Sequence, residues 1–198
     1  MVEVPQDWIK RSQDGEGEYF DRLVAAYQAP VYNLCLRMLG NPGEAEDATQ
    51  ESFWRAYRAI RRYNLGRPFG TWLLAIAAHH CIDLLRSRKT APTSLEALQP
   101  QQELLDPSPG PELSAEAAER ERALSAAMEK LDPEDRAALM MRYWYDMSYE
   151  EMSEALSLST GAVKSRLHRA RRTLADQWST LPAKADPQRR KPHAAPAF

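Results

Sequence analysis

Between Ser159 and Leu174 the chain reads STGAVKSRLHRARRTL, where Lys164, Arg166, Arg169, Arg171 and Arg172 fall within nine residues and His168 lies among them. A guanidinium can bond the N7 and O6 edge of guanine in pairs, serine and histidine can bond base edges, and any of the cations can hold a phosphate. At about 100° per residue, Val163, Leu167, Ala170 and Leu174 share one stripe suited to burial. Ser165, His168, Arg169 and Arg172 lie toward the opposite pole, with Lys164, Arg166 and Arg171 on the flanks. Upstream, Met152, Leu156 and Leu158 precede Val163 with the spacing of a helix-turn-helix, whose second helix enters the major groove. The same pattern suits a solvated basic face, or a helix meeting an acidic protein or a membrane surface. Dense cations after a capped helix and a short turn favour DNA.

A second set of polar residues lies on a helix expected over about 42–60. Ala45, Thr49, Phe53, Ala56 and Ile60 form its apolar stripe, and Asp47, Gln50, Glu51, Trp54 and Arg58 share another face. Side chains on that second face need water or a partner. The run from Arg61 to Pro68 breaks the periodicity and reads as a loop.

The elements that position these residues are all helical. Phe20, Leu23, Val24, Tyr27, Val31, Leu34, Cys35 and Met38 keep helical phase through Pro30, so one kinked helix is expected there, stopped by Gly40. Asn41-Pro42-Gly43-Glu44 supplies a cap, a proline at the first helical position and an acid for the first turn. Another helix is expected over about 69–88, with Leu73, Ile76, Ala77 and Leu84 at core spacing. In the second half an Ala/Glu/Arg-rich helix runs to about Lys130. Asp132-Pro133-Glu134-Asp135 starts the next, and Ser148-Tyr149-Glu150-Glu151 reads as a capping box for a third.

The chain has 198 residues and a net charge of −2, which alone argues against a nucleic-acid partner. The distribution of charge argues for one. Arg55, Arg58, Arg61, Arg62, Arg67, Arg86, Arg88 and Lys89 face only Asp83 across residues 55–89, and residues 160–178 hold five cations against Asp176. Between these basic zones, residues 90–118 carry five acids, no Lys or Arg, and Pro92, Pro100, Pro107, Pro109 and Pro111. That composition is expected to form a flexible linker, long enough to serve two separated sites on one partner. The last residues, 179–198, have the composition of a disordered tail.

No apolar run approaches the roughly 20 residues of a membrane span, and the N-terminus has no apolar core of the signal-peptide kind, so no membrane insertion and a cytoplasmic location are expected. Cys35 and Cys81 lack CxxC spacing and are expected as buried free thiols. His79, His80, Cys81 and Asp83 have poor spacing for a metal, and no metal or cofactor is expected. There is no GxxxxGK[ST] phosphate loop and no catalytic triad or paired-acid signature, so the chain is expected not to be an enzyme and no residue is assigned as catalytic.

Together the two halves resemble a bacterial RNA polymerase sigma factor of the extracytoplasmic-function (ECF) type, over about residues 16–178. The resemblance rests on Asp47-Ala48-Thr49-Gln50-Glu51-Ser52-Phe53 and Phe69-Gly70-Thr71-Trp72-Leu73-Leu74-Ala75-Ile76-Ala77 in the first half. In the second it rests on Tyr149-Glu150-Glu151-Met152 and on the run from Val163 to Arg171. It implies an all-α protein with a region 2 domain over 1–89, a linker over 90–118, and a region 4 helix-turn-helix domain over 119–178. Asp47, Gln50, Glu51 and Trp54 would meet the clamp helices of the largest subunit of core RNA polymerase.

The resemblance further implies that the loop from Tyr63 to Pro68 captures a flipped base of the non-template strand. Arg61, Arg62, Asn64, Leu65, Arg67, Thr71 and Trp72 would bind the minus-ten element, partly as single strand; for Trp72, core packing is the competing reading. Capturing an unstacked base repays a cost of a few kcal/mol, so melting would need no ATP. Lys164, Ser165, Arg166, His168, Arg169, Arg171 and Arg172 would bind the minus-thirty-five duplex, and the second domain would meet the polymerase flap. An anti-sigma partner is expected to control such a factor. The alternative is a stand-alone helix-turn-helix regulator, which would leave the Asp47, Gln50, Glu51 face without a role.

Overall fold

The structure, a computed structural model, describes residues 3–90 and 123–180, and every regular element among them is a helix. The first half contains α1 (Gln6–Gln13), α2 (Gly17–Leu39), α3 (Pro42–Ala59), a 3-10 turn (Ile60–Arg62) and α4 (Phe69–Thr90). The second contains α5 (123–129), α6 (Pro133–Tyr143), α7 (Tyr149–Ala155) and α8 (Thr160–Thr180). Nearly all of the expected linker, and the tail beyond Thr180, lie outside the described residues.

Local signals explain where the helices begin and end. Gly40 closes α2 in the left-handed conformation at φ 75°, its N–H returning 2.8 Å to the Leu36 carbonyl. Asn41 then caps α3, its side-chain oxygen accepting from the Glu44 N–H at 3.1 Å, with Pro42 at the first position. Asp132 caps α6 in the same way. Ser148 and Glu151 complete a capping box on α7, with bonds of 3.1 and 2.8 Å.

α2, α3 and α4 bury one another's apolar stripes, and α1 lies against α2. Pro30 sits within α2 without ending it, because Phe20, Leu23, Tyr27, Val31, Leu34, Cys35 and Met38 stay buried on one face through it. Burying a leucine such as Leu23, Leu34 or Leu73 contributes about 2 kcal/mol each. Cys35 and Cys81 are free and fully buried, as their apolar setting implies. A hydrogen bond from the Cys81 thiol to Cys35, together with burial, pushes the Cys81 thiol well above its ordinary range.

The two halves touch. α6 lies on α2 and α4, and α7 lies on α4. Buried Arg136 donates to the Met38 carbonyl at 2.5 Å, Arg86 pairs with Glu134, and the Arg37 guanidinium lies 5.2 Å from the Trp144 ring centroid. Burial lowers the Arg136 pKa, and its Nε has no partner among the described residues, so the bond to Met38 anchors a desolvated cation.

Candidate nucleic-acid interface

α8 presents the basic pattern read from the sequence. Val163, Leu167 and Ala170 are buried against α6 and α7, while Lys164, Ser165, His168, Arg171 and Arg172 are exposed. The turn before it is closed by Ser153 Oγ donating to the Leu158 carbonyl at 2.5 Å, and Ser159 Oγ accepts from the Ala162 N–H at 3.2 Å. Two cations of the set pair with acids at the start of α6. Arg166 is only 21% exposed and reaches Asp135 at 2.9 Å, with Glu134 and Asp132 at 3.5 and 3.8 Å. Arg169 donates through Nε and NH2 to the two oxygens of the same Asp135, both at 3.1 Å.

The loop after α3 is held from three sides. Asn64 Oδ1 accepts from the Gly66 N–H at 2.9 Å, and the Arg67 N–H returns 3.1 Å to the Asn64 carbonyl, forming a tight polar turn. The Tyr63 hydroxyl bonds the Arg67 carbonyl. From α1, Gln13 Nε2 donates to the Ile60 and Tyr63 carbonyls, both at 2.8 Å, and Gln6 Nε2 to the Leu65 carbonyl at 3.0 Å. The turn leaves Arg61, Arg62, Asn64 and Arg67 exposed and Leu65 half-buried. Trp72 is partly buried in an aromatic cluster, its ring 4.8 Å from Tyr63 and 5.4 Å from Phe69.

Thr71 departs from an exposed DNA contact. It is buried, with Oγ1 3.5 Å from Glu151 on α7, and Arg67 lies 3.6 Å from Glu154 of the same helix. In this arrangement the acidic face of α7 covers part of the loop-and-α4 surface, and a strand that touches Thr71 must displace it.

On α3, Asp47, Gln50 and Trp54 are exposed and Glu51 half-buried, all away from the buried stripe of Ala45, Thr49, Phe53 and Ala56. Glu51 pairs with Arg55 at 2.7 Å, which lowers its pKa and keeps it anionic. Trp54 is 56% exposed and stacks on Tyr57 with ring centroids 6.1 Å apart; with Phe20, Gln50 and Phe53 they line a shallow open groove. Half-buried His80, beside this face, is held below its ordinary pKa by burial and by Arg55.

Two family models match the chain: Sigma-70 region 2 over residues 23–90 and Sigma-70, region 4 over residues 121–174. The ECF RNA polymerase sigma factor SigW of Bacillus subtilis (strain 168) is 33% identical over 179 residues, covering 87% of this chain and 96% of the relative. The chain belongs to the ECF sigma factors. Among solved structures, CnrH in complex with the cytosolic domain of CnrY has the same fold, at a TM-score of 0.64 and 23% identity over 88% of this chain and 96% of that one. The sigma factor RpoE in complex with the anti-sigma factor NepR from Bartonella quintana aligns with a TM-score of 0.61 at 17% identity, over 81% and 97%.

Three features of this sigma factor escape a reading of its sequence. Gln6 and Gln13 support the loop from a helix that carries no recognised motif. Tyr57 extends the exposed face of Trp54, though its spacing of three from Trp54 is a usable helical signal. Asp135, which reads as one more acid in a first helical turn, is the partner of Arg166 and Arg169. Among the described residues, no group of His, Cys, Asp or Glu is placed to hold a metal, and no helix is long and apolar enough to cross a membrane.

Proposed function

We propose that this sigma factor directs core RNA polymerase to specific promoters through three surfaces. Asp47, Gln50, Glu51 and Trp54 of α3 meet the clamp helices of the largest subunit. Arg61, Arg62, Asn64, Leu65, Arg67, Thr71 and Trp72 bind the minus-ten element and hold the unpaired strand. The outward cations and polar groups of α8 bind the minus-thirty-five duplex, and residues 119–178 also meet the flap of the second-largest subunit. Residues 90–118 tether the two domains, 1–89 and 119–178. The protein works in the cytoplasm as an initiation factor that catalyses no reaction of its own, under control of an anti-sigma partner such as the one named for the Bartonella relative.

One observation carries this reading: the polar stripe of α3 is exposed and separate from every buried stripe, beside the stacked pair Trp54 and Tyr57. A DNA-binding protein that worked alone would have no use for it. Run-off transcription with core polymerase tests the reading. Promoter-dependent transcripts are expected with the wild type and should disappear when Asp47, Gln50 and Glu51 are all replaced by alanine. Equal duplex binding with and without polymerase, unaffected by that triple substitution, would instead indicate a stand-alone helix-turn-helix regulator.

A further inference from the structure

Asp135 is the third residue of α6, 6% exposed, and its carboxylate is enclosed by two arginines of α8. A guanidinium is planar and presents more than one pair of parallel N–H groups. In Arg169 the pair formed by Nε and NH2 is taken by Asp135, whereas the pair formed by NH1 and the second hydrogen of NH2 has no partner among the described residues. The Arg169 side chain is 58% exposed, which leaves that second pair room for a partner from outside the protein. Its place on the helix is beside Ser165, His168 and Arg172, the pole turned away from the buried Val163, Leu167 and Ala170.

We propose that Asp135 is a positioning residue for promoter reading: it fixes Arg169 by one edge so that the other meets the N7 and O6 acceptors of one guanine in the upstream element. The inference rests on the reading that α8 enters the major groove. Free arginine samples many rotamers, and that freedom is lost when it pairs with a base. Asp135 removes it beforehand. A bidentate carboxylate also fixes the plane of the guanidinium, so its two remaining parallel donors are held ready for guanine, with two acceptors side by side, and mismatch adenine, with an acceptor beside a donor. Asp135 holds its own place through two further features. It lies in the first turn of α6, where the helix dipole favours an anion, and Arg166 completes its bonding at 2.9 Å.

Arg166 therefore has a different job from the one its position on the wheel suggests. Its side chain is 21% exposed, and three acids surround it. It neutralises the enclosed carboxylate, so that Asp135 does not repel the DNA phosphates.

The test uses holoenzyme reconstituted from core polymerase and the full-length chain, bound to promoter DNA randomised across the upstream element and sequenced. Wild type, Arg169→Ala, Asp135→Ala, Asp135→Asn and the double variant Asp135→Ala/Arg169→Ala are compared, with thermal midpoints measured on each. Arg169→Ala should lower the preference for guanine at one base pair by roughly 5- to 150-fold. Asp135→Ala should relax the same base pair by roughly three- to tenfold, with Asp135→Asn, which keeps the shape and one acceptor, in between. In the double variant Asp135→Ala should add nothing further at that position.

Uniform weakening over all sequences by either Asp135 variant, or a relaxed base pair different from that of Arg169, would overturn the proposal. So would an Arg169→Ala holoenzyme with the full wild-type preference. These failures leave the upstream element itself selected. A wild-type holoenzyme that selects no upstream sequence would instead refute the groove reading of α8 and the proposal with it. Asp135→Asn keeps the comparison decisive if Asp135→Ala does not fold.

Discussion

Tyr145, in the connection between α6 and α7, donates its hydroxyl to the Pro30 carbonyl of α2 at 2.6 Å, joining positions 115 residues apart. The bond is the counterpart of the Arg136 bond to Met38, and the two fasten the second half of the chain onto the middle and end of one helix. Tyr145→Phe removes the hydroxyl and keeps the ring, so it should cost about 1 kcal/mol. Chemical denaturation measures it. An unchanged midpoint would mean that the hydroxyl exchanges evenly with water.

The phenols also predict a pH dependence. Burial pushes Tyr27 up to about 12 and raises Tyr63 and Tyr145 as well. An unfolded tyrosine ionises near 10. Since the folded pKa values lie above the unfolded one, the unfolded chain loses these protons first. Their contribution is complete below about pH 10 and is lost as the pH rises through the folded values. Stability should fall above pH 10, and Tyr145→Phe should make the fall shallower. Denaturation series from pH 8 to 11 on both proteins give the difference, and parallel curves would refute the assignment.

Two residues of similar backbone conformation should respond oppositely to substitution. Ser157, in the turn between α7 and α8, has φ 55°, and Gly40 has φ 75°. A side chain in the left-handed region costs on the order of 1 kcal/mol. Ser157→Gly should therefore raise stability by about 0.5 kcal/mol, after the added freedom of glycine in the unfolded chain is subtracted. Gly40→Ala should lower it by about 1 kcal/mol. Thermal midpoints that move in the same direction for both would contradict this account.

Gln13 bonds two carbonyls, those of Ile60 and Tyr63, at the base of the loop that ends at Pro68. Gln13→Ala should leave both without that donor, cost about 1–2 kcal/mol, and loosen the loop without touching α8. Binding of holoenzyme to single-stranded minus-ten DNA should weaken, while binding to an isolated upstream duplex stays at the wild-type level. Equal weakening of both would show a global effect and not a loop-specific one.

Most helices were legible because their signals are local. Asn41-Pro42, Asp132-Pro133 and the Ser148–Glu151 box mark starts that the structure reproduces, and one apolar phase carries α2 through Pro30. α1 carries no such signal: its eight residues, with Ile9 buried, hold few apolar positions for a period to register.

The candidate surfaces divide along the same line. Exposure of Asp47, Gln50 and Trp54 on α3, and of Lys164, Ser165, His168 and Arg172 on α8, follows from which stripe each helix buries. The sequence alone therefore determined helix limits, buried and outward faces, and the separation of charge, because residues three or four apart on a helix share a side whatever surrounds it. Only the tertiary structure decided that Arg166 and Arg169 share Asp135, that Gln13 holds the loop, and that Thr71 lies under Glu151. Those partners stand 31, 34, 50 and 80 positions apart, and no local period relates them. They meet because helices with matching apolar faces exclude water together, which brings their polar flanks within bonding distance.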